Sequence, residues 1–224
     1  LLTSAGLWEK IPEALRRVVS AVERGEAPET PKPGDPAFEN MQVHLVASNR
    51  LALEAAAARA AALGLAVHLI GASLAGEARA AGEAVAERLI NYRNSTGRTQ
   101  GELHKHAALI WGGETTVTLG PHPGRGGRSQ ELALAAARVL AQAGPAAAGT
   151  ALLAAGTDGR DGPTDAAGAF VESGTWAEIA RQGRDPDRDL AGHDAYASLD
   201  AAGALLRTGL TGTNVMDVVI GLVE

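Results

Sequence analysis

From residue 41 onward the chain alternates apolar runs of strand length with alanine-rich runs of helical length, and this alternation is what most narrows the folds open to it. MQVHLVASN reads as a strand, RLALEAAAARAAALG as a helix closed by Gly64, and LAVHLIG as a second strand. SLAGEARAAGEAVAERLI follows as a helix with Ser73 as its N-cap. This order implies a right-handed βαβ start to a parallel sheet. HAALIWGG, ETTVTLG, ALLAAG, residues 169 to 172 and VMDVVIGLVE read as further strands, while SQELALAAARVLAQAG, TWAEIARQG and YASLDAAGALLRTG read as helices. The expected fold is α/β over residues 41–224: a mixed, mostly parallel sheet with helices on both faces, a Rossmann-like three-layer domain.

The stretch before it has another character. LWEKIPEALRRVVSAVER has apolar residues at helical spacing, and GEAPETPKPGDPAFEN then supplies repeated prolines with little to pack, so residues 1–40 read as a helix and an extended linker. Residues 91 to 105 are polar and aperiodic, and read as a surface loop.

A formal charge of −6 and the lack of a Lys/Arg-rich run argue against nucleic acid as a partner. Without cysteine there is no disulfide framework and no thiolate zinc site, which makes a cytoplasmic location the expectation. The first residues lack the basic region of a signal peptide. Residues 51 to 76 are apolar overall, but Glu54, Arg59, Gly64 and His68 interrupt them, so no membrane span is expected.

Two loops carry the chemistry. AAGTDGRDGPTDAAG places Asp158, Asp161 and Asp165 directly after the apolar run ALLAA. Carboxylates crowded at a buried strand end repel one another unless a cation, a basic side chain or N–H groups compensate. Their spacing is not that of an EF-hand, and Mg²⁺ sharing phosphate oxygens suits so sparse a set. GPHPGRGGRSQE puts Gly126, Gly127, Arg125 and Arg128 just before a helix, where free N–H groups and the macrodipole offer an anion a seat. Neither the Walker A nor the dinucleotide fingerprint is met there. Each loop could also be turn chemistry alone. Glu114 follows Gly112 and Gly113, and Thr211, Thr213, Asn214 and Asp217 cluster ahead of the last strand. His44, His68, His104, His106, His122 and His193 form no ligand pair at helical spacing, and no G-x-S-x-G elbow is present.

In order, VASNRLALEAA, GGETTVT, GGRSQELALAAA, AAGTDGRDGPTDAAGA and TGTNVMD resemble the C-terminal half of the ATP-dependent glycerate 2-kinases, the MOFRL family. The early GLWEKIPEAL and PETPKPGDPAF resemble the segment joining the two halves there. The resemblance implies γ-phosphoryl transfer from ATP to the 2-hydroxyl of D-glycerate, with Mg²⁺, in a cleft closed by an N-terminal domain that this chain lacks. It implies Arg128 and Asp158 as catalytic residues, with Ser48, Asn49, Glu114, Gly126, Gly127, Thr211 and Asn214 on substrate or phosphate and Asp161 and Asp165 at metal. Ser129 stands where the family motif GGRNQE has asparagine. Two competing readings are a module that self-associates and binds nucleotide or a small acid without catalysis, and a hydroxypyruvate reductase.

Overall fold

The computed structural model describes residues 2–96 and 106–224 and divides into two compact units, residues 1–45 and 46–224. The first contains a 3-10 turn at Trp8–Lys10, helix α1 at Glu13–Glu23 and a 3-10 turn at Pro36–Phe38 capped by Asp35. The expected strand at residues 41 to 49 does not form. Residues 41–48 lie in no ladder, and Met41, Val43, Leu45 and Val46 are exposed. Alternating apolar residues make a strand only where a neighbouring edge takes up their backbone groups.

The second unit runs α2 (Asn49–Ala62), β1 (Ala66–Leu74), α3 (Ala78–Thr96), β2 (Ala107–Gly113), α4 (Arg128–Ala143), β3 (Thr150–Gly156), β4 (Gly168–Glu172), α5 (Thr175–Arg181), α6 (Pro186–Ala191), α7 (Ala195–Ala201), β5 (Leu205–Leu206) and β6 (Asp217–Val223). It is a mixed α/β sheet in the order β1-β2-β6-β3-β4-β5. The expectation of a mostly parallel sheet is corrected: among the described residues β1 and β2 are the one parallel pair of strands, and the other four pairings are antiparallel. The reason lies in the connections. The loop between β3 and β4 has no crossover helix, so the two strands pair antiparallel, and β6 enters between β2 and β3 running against both.

Alternation of side chains along the strands separates two helical layers. On one face Gly112 of β2 sits beneath Asn49 and Leu53 of α2, and on the other Gly221 of β6 sits beneath Leu89 of α3. A Cβ at either glycine would overlap the helix above it. Helix α4 packs against α3, β3, β4 and the short helices α5–α7, with every residue from Ser129 to Ala137 buried. Its alanines allow close approach: Gly82 of α3 lies against the backbone of Leu132, with no room for a methyl. Leu89, Leu134, Leu140, Leu152, Ile179 and Leu199 fill this side of the core, each worth about 1.5–3 kcal/mol of burial.

Other boundaries moved as well. ETTVTLG is not a strand and contributes one isolated bridge, Glu77 with Thr116. Ser73 belongs to β1 and α3 starts only at Ala78, so Ser73 is not its N-cap. The last predicted helix stops at Ala201; Gly203, at φ +65°, turns the chain into β5. α3 extends through residues 91–96 of the expected loop, whose remaining residues 97–105, His104 included, lie outside the described residues. Among the described residues, no helix is long and apolar enough to cross a membrane.

Candidate active site

Strand register assembles the site. Asp217, the first residue of β6, is paired with Gly113 at the end of β2 and with Gly156 at the end of β3. Adjacent strands lie about 4.8 Å apart, so Glu114, Asp217 and the Thr157–Asp158 turn emerge side by side on one rim of the sheet. The N-terminus of α4 faces the same rim. Together they enclose a cavity of about 730 Å³ lined in part by Glu114, Arg128, Asp158, Arg160, His193 and Asn214.

Arg128 is held from two sides. Its Nε and Nη2 donate to Oδ2 and Oδ1 of Asp217 at 2.7 and 3.0 Å, and its Nη1 donates to Oε1 of Glu114 at 2.7 Å. Such a fork fixes the plane of the guanidinium as well as its position. The bonds to Asp217 raise the Arg128 pKa further, while burial pushes the Asp217 carboxyl up against the pull of Arg128. Glu114 and Asp158 add to that upward push on Asp217, so three carboxylates crowd one committed cation. The cavity wall is thus short of positive charge. Arg160 also lines it, and among the described residues its guanidinium has no ion-pair partner.

Asp161 does something the sequence did not disclose. It is 3% exposed, and its Oδ1 and Oδ2 accept the backbone N–H groups of Ser129 (3.1 Å) and Gln130 (2.8 Å). The amides offered as an anion seat at the start of α4 are therefore already filled from within the chain. Gln130 completes the clamp, donating through Nε2 to Asp161 O and Thr164 Oγ1. Gly127 makes it possible, because a Cβ there would occupy the space of the Asp161 carboxylate. Burial pushes the Asp161 carboxyl up to about 6, the two amides pulling the other way. Among the described residues the neighbouring Ser129 hydroxyl, which is buried, has no hydrogen-bond partner.

Residues 107–217 match the MOFRL family. The chain belongs to that family. A Pyrococcus horikoshii glycerate 2-kinase is 38% identical over 97% of this chain and 47% of its own length. An Agrobacterium vitis relative, provisionally named hydroxypyruvate reductase, is 39% identical over 93% of this chain and 44% of its own. The crystal structure of Thermotoga maritima glycerate kinase superposes with a TM-score of 0.81 at 39% identity, over 98% of this chain and 49% of that one. The chain thus spans about half the length of these relatives.

Within this MOFRL fold, Glu114, Gly126, Gly127, Arg128, Asp158, Asp161 and Asn214 line one cavity, as a shared site requires. The remaining candidates do not line it. Ser48 caps α2, its Oγ accepting the Leu51 N–H at 3.3 Å. Asn49 is buried and donates to the carbonyls of Val215 and Asp217 at 2.8 and 3.0 Å, tying α2 to the entry of β6. Thr211 Oγ1 donates to Thr157 O at 2.6 Å, and its N–H to Asp158 O at 3.1 Å, which pins the aspartate turn. Asp165 points elsewhere, accepting from Tyr196 Oη at 2.7 Å and Arg207 Nε at 3.0 Å, bonds that lower its pKa. Arg125 is stacked 4.0 Å over the Tyr196 ring. Sequence reasoning passed over Arg160 and the pairing of Glu131 with His193; it placed Asp217 in a cluster without seeing its partner, Arg128.

Proposed function

We propose that this chain forms part of an ATP-dependent kinase that transfers the γ-phosphoryl group to the 2-hydroxyl of D-glycerate, giving 2-phosphoglycerate and ADP. One observation carries the reading: an arginine locked by two carboxylates faces an acidic aspartate turn and an unpaired Arg160 across one cavity. Phosphoryl transfer asks a protein for positioning and charge neutralisation more than for covalent chemistry. The names of the relatives point the same way.

In this reading Arg128 orients an anionic oxygen of the substrates, since its fork is rigid and its third edge is directed by Glu114. Arg160 contacts phosphate. The donor set fits Mg²⁺: Asp158 and Glu114 bring hard carboxylate oxygens to the cavity, and among the described residues no group of three or more such side chains forms a complete cage. Both would hold the ion alongside nucleotide oxygens and water, where it supplies neutralisation of phosphate charge. Asp161 serves as the clamp that sets α4 against the aspartate turn, and Asp165 lies off the cavity, so neither holds metal. A cleft of this kind needs a second wall to exclude water, and residues beyond this chain supply it.

The test is formation of 2-phosphoglycerate from ATP and D-glycerate by the protein at its full encoded length, with NADH-dependent reduction of hydroxypyruvate measured in parallel. Turnover of glycerate with no NADH consumption is expected. Binding of ATP without turnover would favour the non-catalytic module, and hydroxypyruvate reduction would replace the kinase reading.

A further inference from the structure

Glu131 lies one turn beyond Arg128 on α4, so both side chains leave the same helix face toward the cavity. Its carboxylate is 5% exposed. Oε2 lies 2.8 Å from Nδ1 of His193, and Oε1 lies 3.4 Å from Nη2 of Arg79, which also donates to Leu190 O. A carboxylate on Nδ1 places the hydrogen there and leaves Nε2 to face outward. Among the described residues Nε2 has no hydrogen-bond partner, and the ring lines the cavity.

The backbone at this position is informative. α6 ends in a Schellman arrangement, with Asp194 N–H donating to Asp189 O at 2.8 Å and His193 N–H directed at Leu190 O. His193 occupies the left-handed residue of that motif, at φ +56°. Glycine is the residue that takes this conformation without strain, and a β-carbon there costs about 1 kcal/mol. Strain of this kind persists where surrounding structure fixes it and clusters at functional positions. Here the imidazole is what the strained backbone delivers, set on a buried carboxylate and turned to the cavity that holds Arg128.

We infer that His193 is a catalytic residue that touches the 2-hydroxy acid, its Nε2 accepting the hydroxyl proton while Glu131 holds the ring and its developing positive charge. This rests on the kinase reading. As the bond from the 2-oxygen to the γ-phosphorus forms, the bond from that phosphorus to the ADP oxygen breaks, and the proton of the 2-hydroxyl passes to Nε2.

The experiment uses the full-length protein. His193→Gly relieves the left-handed strain, so the thermal midpoint is expected to hold or rise within the limit set by the Glu131 oxygen that loses its histidine, and His193→Gly with Glu131→Gln removes that limit. Both are expected to lose roughly 10²- to 10⁴-fold in kcat with KM for D-glycerate within a few-fold. A rate within about threefold of wild type, or a change confined to KM, overturns the inference. Independently of turnover, the ¹⁵N signal of His193 Nε2 in the wild-type protein is expected to shift on adding D-glycerate and to stay unmoved with 3-hydroxypropionate, which lacks the 2-hydroxyl. A signal unmoved by D-glycerate overturns the contact even where kinase activity is intact. Absence of wild-type turnover with a D-glycerate-dependent shift removes the kinase reading and its proton transfer while leaving the contact in place.

Discussion

Arg128 is worth more as a fixed plane than as a charge. Lysine would keep the charge but, with one nitrogen in place of three, could not reproduce the planar fork now made to Asp217 and Glu114. Arg128→Lys is therefore expected to lower kcat/KM for D-glycerate by about 100-fold in a coupled ADP-release assay. Asp161 gives a pH signature. Its folded pKa of about 6 lies above the ordinary 3.8, so the native state binds the proton more tightly than the unfolded chain. Its contribution to stability is fully present below the ordinary value and is lost as pH rises through about 6. Urea denaturation is expected to show wild type gaining about 1–2 kcal/mol at pH 5 over pH 7.5 relative to Asp161→Asn, which lacks this titration. The buried Asp217, also shifted upward, adds in the same direction in both proteins. At this scale the sequence singled out Asp158, Asp161 and Arg128, which the fold brings to one cavity, since acidic and basic residues beside glycines at element ends carry a chemical signal. It could not separate their roles, because Asp161 is engaged by backbone amides of residues about thirty positions away, and backbone groups leave no mark in the amino-acid code.

Among the elements, α4 organises the site. It is buried along most of its length, and its first turn is fixed by the Asp161 clamp, which leaves the direction of Arg128 and Glu131 little freedom. Gly127→Ala is expected to displace that carboxylate and lower stability by about 2 kcal/mol or more, seen as a fall in the thermal midpoint. The helices α2 and α4 and the strands β2, β3 and β4 were readable within a residue or two from periodicity, being long enough to show their period or bounded by glycine. The two false strands failed for one reason. MQVHLVASN and ETTVTLG have strand-forming residues, but no ladder takes up residues 41–48 and the second meets a neighbour at one bridge, and pairing partners are a property of the fold. α6 was passed over because six residues, PDRDLA, hold too few apolar positions to reveal a period.

For the molecule as a whole, the cavity joins the ends of three strands and one helix, so whatever fills it ties together segments far apart in the chain. Its carboxylates repel nucleotide phosphates unless a divalent ion intervenes. ATP with Mg²⁺ is expected to stabilise the full-length protein by about 2.7 kcal/mol at a hundredfold excess over Kd, and ATP with EDTA by far less, measurable as the difference in thermal shift. The α/β class could be read from alternating segments, whereas the direction of the strands could not, because it depends on where β6 lands rather than on its composition.

That landing place governs how the protein comes into being. The strand that separates β2 from β3 is the last to leave the ribosome among those described, and it carries the carboxylate that grips Arg128. Until it arrives, the two strands on either side have an open slot between them, and the arginine lacks its anchor. Folding and the assembly of this rim are consequently one late event: a nascent chain halted before residue 217 would present bare strand edges to chaperones instead of a half-built site.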